Sequence, residues 1–203
     1  MYQNNKTKNQ HYIPQSYLRS FSDDGKNIWV YDKFTQTINN QNIKGTGSIK
    51  HFYQSRRHSQ PLDTPPVTSL EGTGIKIIKK IDNNENITPE EGGQLINFIA
   101  LQYLRTPAAK NRSEASFQSF WNELRKFYRE SGFKNQKIEK IAKSYIDEQK
   151  IDGVTPQQFL KNNDSITPPK ELFVDTLVGN GFNIAEILLK QKWELLFSKP
   201  NSW

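Results

Sequence analysis

Apolar residues crowd most densely between Thr88 and Pro107, where Leu95, Ile96, Phe98, Ile99, Leu101, Tyr103 and Leu104 leave no broad polar face. That is the pattern of a helix enclosed by a core rather than laid on a surface. Its ends are written locally. Thr88 is an N-cap residue, Pro89 suits the first helical position, and Glu91 completes a capping box. Thr106-Pro107 stops the helix, because the residue before proline avoids helical angles.

Around this segment the period shifts between helix and strand. Pro14 opens a short helix, with Tyr17, Leu18 and Phe21 predicted inward and Gln15 and Arg19, four apart, sharing the other side. Asn27 to Phe34 alternates, with Ile28, Val30 and Asp32 on one face and Trp29 and Tyr31 on the other, which predicts a strand. Thr35 to Ile43 is its expected hairpin partner. After a break at Gly45 to Gly47, Ile49 to Gln54 is expected as a third short strand carrying Phe52 and Tyr53. Ser55 to Pro66, with three prolines, reads as an exposed loop. Val67 to Ile81 has helical spacing despite two glycines.

Beyond the central segment, Ala108 to Ser131 carries a stripe of Phe117, Phe120, Trp121, Leu124, Phe127 and Tyr128 at intervals of three and four, expected to face a core, with Gly132 ending the helix. Lys134 to Lys150 is a second amphipathic pattern with Ile138, Ile141, Ala142 and Tyr145 on one side, and Thr155 to Gln158 caps a brief helix. Pro168 to Lys190 is predicted helical with a kink or break at Gly179-Asn180-Gly181, and Lys192 to Ser198 alternates as a strand. The expected fold is α+β, a mainly helical domain with a small N-terminal antiparallel sheet packed on a central buried helix. Residues 1–10, polar and rich in Asn and Lys, are expected to form a mobile arm ahead of one globular domain over 11–203.

Composition narrows the chemistry. The absence of Cys removes disulfides, thiolate metal sites and cysteine nucleophiles. The N-terminus lacks the apolar core of a signal peptide, and no uninterrupted apolar run approaches the roughly 18 residues of a membrane span, so the expectation is a soluble, cytoplasmic protein with no membrane partner. The net charge of +7 is unevenly placed. Residues 1–60 hold nine basic and three acidic residues, and Arg105 to Lys143 hold ten and four. Two such zones suit a polyanion such as nucleic acid.

Three sets of residues carry a family resemblance: His11-Tyr12-Ile13-Pro14-Gln15 with Tyr17-Leu18-Arg19 and Phe21; Trp29-Val30-Tyr31-Asp32 with His51-Phe52-Tyr53; and Phe98-Ile99-Ala100-Leu101-Gln102 with Leu104-Arg105-Thr106-Pro107. Together with Leu70-Glu71 at a helix start, they resemble the family catalogued as domain of unknown function 4238. The resemblance implies no assigned activity. It does imply a second strand after Lys192 to Ser198, running into an Asp-Asn-Pro motif. The sequence ends at Trp203, so the expectation is a fragment, a truncated relative or an inactive copy.

Within those motifs His11, Gln15, Arg19, Glu71, Gln102 and Arg105 are the polar residues expected to converge from three helices. In a catalytic reading His11 is general acid or base, Arg19 and Arg105 hold phosphoryl oxygens, Glu71 orients His11, and Gln15 and Gln102 position substrate, with Arg56 and Arg57 touching phosphate from their loop. That reading expects a metal-independent nuclease-like or nucleic-acid-binding protein, serving in a bacterial phage-defence or stress-response system. In the alternative reading the same groups pair with one another and pin the N-terminal segment to the central helix, making a non-catalytic module whose partner is another protein. His11, His51 and His58 lack metal-ligand spacing, and neither Gly45-Thr46-Gly47 nor Gly72-Thr73-Gly74 is a nucleotide fingerprint, so no metal and no cofactor are expected.

Overall fold

The structure is a computed structural model and describes residues 9–53, 65–162, 166, 168–169 and 172–194. In order these form β1 (Asn9–His11), α1 (Gln15–Leu18), a 3-10 turn (Arg19–Phe21), β2 (Asn27–Asp32), β3 (Thr37–Asn42), β4 (Ser48–Lys50), α2 (Pro65–Asp82), α3 (Pro89–Leu104), α4 (Pro107–Glu130), α5 (Gln136–Gln149), α6 (Pro156–Lys161) and α7 (Leu172–Leu189). The class is α+β, mostly helical with small N-terminal antiparallel sheets. Two compact units divide the chain; of the described residues, 9–53, 65–106 and those from 177 to 194 belong to one, and those between 107 and 176 to the other.

In the first unit the capping box at α3 forms as its sequence demands: the Thr88 hydroxyl accepts from the Glu91 N–H and the Glu91 carboxylate accepts from the Thr88 N–H. Between Glu91 and Arg105 only Gln94 and Tyr103 are exposed. Helix α2 runs antiparallel to α3, because the loop between them is short. The two approach closely at one point. A Cβ built on Gly74 would lie 2.3 Å from Cγ of Phe98, so only glycine lets the α2 backbone meet that ring. An ion pair ties each end of this helical hairpin, Lys80 to Glu91 at 2.5 Å beside the loop and Arg105 to Glu71 at the open end.

The expected sheet is really two sheets. Hairpin β2–β3 pairs with Trp29 opposite Asn40 and Tyr31 opposite Ile38, and its inner residues Ile28 and Val30 pack with Ile13, Leu18 and Ile43. Strand β4 does not join it but pairs with β1, Asn9 opposite Lys50 and His11 opposite Ser48. The cause lies at Gly47, whose φ of +65° turns the chain and whose carbonyl accepts from the N–H groups of Tyr12 (2.8 Å) and Ile13 (3.2 Å). The strand ends at Lys50 because His51 adopts a left-handed φ of +57°, so Phe52 and Tyr53 lie in a turn beyond it. Asn9 and Gln10, assigned to the N-terminal arm by composition, are strand residues. The preceding eight residues, the Ser55 to Pro66 loop up to Thr64 and the strand expected beyond Glu194 lie outside the described residues; Lys192 to Glu194 form no strand.

Phe21 is exposed, contrary to expectation: the helix gives out after one turn, leaving the ring at the surface, edge-on to Tyr17 at 5.2 Å. The second unit corrects the aromatic stripe in the same way. Trp121, Tyr128, Ile138, Ala142, Leu160 and Ile166 form its core with Phe117, Leu124, Tyr145 and Phe159 against them, while Phe120, Phe127 and Ile141 are exposed. At about 100° per residue, Phe120 and Phe127 sit roughly 40–60° beyond the edge of the arc that Phe117, Trp121, Leu124 and Tyr128 share. Helix α7 runs without a break through Gly179-Asn180-Gly181. It is long and apolar enough to cross a membrane by length and composition, a property that core helices of globular proteins share.

Candidate functional site

Arg105 caps the C-terminus of α3, its N–H donating to the Leu101 carbonyl at 3.1 Å. A cation is favoured there because the helix ends in unpaired carbonyls carrying partial negative charge. The side chain is only 5% exposed. Three of its atoms are spoken for: Nη1 donates to the Glu71 carboxylate from α2, Nη2 donates to the main-chain carbonyl of His11 in β1, and Nε donates to the Tyr53 hydroxyl at 3.3 Å. Tyr53 closes the group, its hydroxyl donating to the Arg105 carbonyl at 2.9 Å and its N–H donating to Oε1 of Gln10 at 2.6 Å. The N-terminal ladder, α2 and the end of α3 are thus joined at one guanidinium.

Burial pushes the Tyr53 phenol up to about 12 against the pull of the neighbouring Arg105 cation, so it is neutral at ordinary pH. For Arg105 burial opposes the charge, but Tyr53 and Glu71 outweigh it and hold the guanidinium more firmly protonated than usual. The latch is therefore an ion pair with a neutral hydroxyl alongside. A buried cation left unpaired would cost several kcal/mol, which is why each acceptor matters.

The residues singled out from the sequence divide into three groups. His11, Glu71 and Arg105 come together, although His11 contributes its carbonyl rather than its imidazole. Nε2 of His11 and Nε2 of Gln102, one helical turn before Arg105, are buried with no hydrogen-bond partner among the described residues. Arg19 is exposed and donates to Gln15 at 3.4 Å, not to the Arg105 cluster. Arg56, Arg57 and His58 lie outside the described residues. Tyr53 and Gln10 were not anticipated; nothing in their spacing distinguishes them from an ordinary strand residue and an ordinary polar arm. Among the described residues no three His, Cys, Asp or Glu side chains gather as a metal ion would require.

A second buried guanidinium, also unanticipated, belongs to the other unit. Arg125 on α4 donates from Nη2 to the Phe159 carbonyl at 3.3 Å and lies over the Phe159 ring at 5.7 Å. Two of the ten basic residues between Arg105 and Lys143 are thus interior. Arg112, Lys126, Arg129, Lys134, Lys137, Lys140 and Lys143 are exposed.

The family model described as "Protein of unknown function (DUF4238)" matches residues 9–177, which includes every residue of the latch. No curated protein and no solved structure matches the chain.

Proposed function

The chain belongs to the DUF4238 family, whose description assigns no activity, and from that premise we propose that it is a non-catalytic nucleic-acid-binding module in which the Arg105 cluster is architectural. The carrying observation is the engagement of Arg105. A guanidinium that holds a phosphoryl group must present its N–H pairs to the ligand, whereas this one is buried and donates to Glu71, His11 and Tyr53. What is left for a polyanion is the exposed basic excess, and seven exposed basic residues between Arg112 and Lys143 support that partner.

The test is fluorescence anisotropy of labelled single-stranded and duplex oligonucleotides over a salt series. Binding is expected, with log affinity falling linearly against log salt concentration, as displaced counterions require. No binding at low salt, or affinity indifferent to salt, overturns the proposal. One observation favours a second reading. Nε2 of His11 and Nε2 of Gln102, buried without a hydrogen-bond partner among the described residues, are groups that a phosphodiester admitted to the interior would satisfy, with the imidazole exchanging the proton. Incubation of the same oligonucleotides with chelator present separates the two: intact strands are expected, and cleavage abolished by His11→Ala would replace the non-catalytic reading.

A further inference from the structure

The β2–β3 hairpin buries one face and leaves the other open. Its outer face consists of Asn27, Trp29 and Tyr31 paired across the ladder with Asn42, Asn40 and Ile38. Trp29 is 68% exposed, Tyr31 61% and, at the tip, Phe34 87%, and Ile38 is exposed beside Tyr31. Aromatic surface gathered this way on a small element marks a binding site. The opposite face is held by Leu18 and Ile43, so the rings stand on an anchored sheet rather than a loose loop.

We infer that this outer face is the surface on which the bases of a single-stranded nucleic acid stack. Trp29 and Tyr31 are alternate residues of one strand, so their rings rise from backbone positions about 6.6 Å apart. Successive bases of an extended strand can rest on such a pair, one on each ring, and base–aromatic stacking tolerates any sequence because every base has a π-face. No ionised side chain lies on the face itself. Asn40, across from Trp29, presents its amide toward base edges, while Asn42 donates to Asn27 at 3.4 Å and Asn27 donates to Asp24 at 2.8 Å. The charges lie around it. Lys26 and Lys44 are exposed at the open end and Lys33 at the tip, where its ammonium lies 5.1 Å from the Phe34 ring centroid.

Of the three nearby carboxylates, Asp23 is exposed and the other two are turned into the turns. Asp24 accepts from the N–H groups of Lys26 and Asn27, both at 2.7 Å, and Asp32 accepts from those of Phe34 (2.8 Å) and Thr35 (3.3 Å). Backbone N–H groups thus partly compensate Asp24 and Asp32, while Lys26, Lys33 and Lys44 are exposed where they can meet phosphates, a pairing of aromatic platform and basic side chains that single-strand binders share. This rests on the nucleic-acid reading above and names its surface and its preferred form of ligand.

The experiment uses the full chain with fluorescein-labelled oligo(dT), oligo(U) and a duplex of the same length. Wild type is expected to bind the single strands more tightly than the duplex, and Trp29 emission to be quenched on binding. Trp29→Ala and Tyr31→Ala are each expected to weaken single-strand binding about tenfold or more, Trp29→Phe to retain most of the affinity, and all three to melt near the wild-type temperature because the side chains are exposed. Single-strand affinity unchanged in the folded Trp29→Ala, Tyr31→Ala double variant overturns the surface while leaving nucleic-acid binding in place. Duplex bound as tightly as single strand also overturns it. Wild type that binds no oligonucleotide, including one that instead self-associates through this face in sedimentation, overturns both readings.

Discussion

Tyr53 and Glu71 hold Arg105 by different means, and the difference can be measured. Glu71→Gln keeps an acceptor but removes the charge; because the carboxylate is partly exposed, a loss of about 1–3 kcal/mol in urea unfolding is expected. His11→Ala is expected to melt near wild type, since the latch uses the carbonyl that every residue carries. Tyr53→Phe gives a pH signature. Its folded-state value, about 12, lies above the ordinary 10, so the stability linked to its proton is fully present below about pH 10 and is lost as pH rises through 12. Melting curves from pH 8 to 11.5 should show wild type losing its advantage over Tyr53→Phe, roughly 2 kcal/mol, as the pH climbs. A parallel decline of the two proteins counts against it. The sequence marked His11 and Glu71 as polar residues of the family motifs, and Arg105 also because charge in an apolar helix demands partners. It could not mark Tyr53, whose role depends on what its ring tip meets across 52 positions.

Among the elements, helices were legible and strand pairing was not. Capping boxes at Thr88 and Thr155 and the glycine after α4 announce helix ends through groups only a few residues apart. Strands β1 and β4 are three residues each, too short for a period, and their pairing is decided by the turn at Gly47 and its contacts with Ile13. The two glycines of α2 make the contrast sharp. Gly72 is exposed with nothing within 4 Å of a built Cβ, whereas Gly74 faces Phe98. Gly72→Ala is therefore expected to stabilise by about 0.5–1 kcal/mol through helix propensity. Gly74→Ala should destabilise by about 1–3 kcal/mol or more through overpacking. Denaturant midpoints of the two variants moving in the same direction would contradict the close approach of α2 to α3.

For the whole molecule, the fold class and the uneven charge could be read from the chain, but the share of that charge at the surface could not. Arg105 and Arg125 count as positive zone in the sequence and as interior in the structure, where carbonyl, carboxylate and hydroxyl acceptors offset part of the cost of burying a guanidinium. Nucleic-acid affinity should accordingly respond to salt through exposed lysines such as Lys137 and Lys140. Their replacement by Gln is expected to lower the salt slope by about one per lost phosphate contact while leaving Trp29 quenching intact.

The latch also sets an order in time. Its acceptors at positions 11, 53 and 71 all precede Arg105, the farthest by 94 positions. As the ribosome delivers the chain from its N-terminus, those groups stay hydrated and the first ladder unsecured until the last turn of α3 has emerged. Closure across so long a loop makes this the slow, non-local step of assembly.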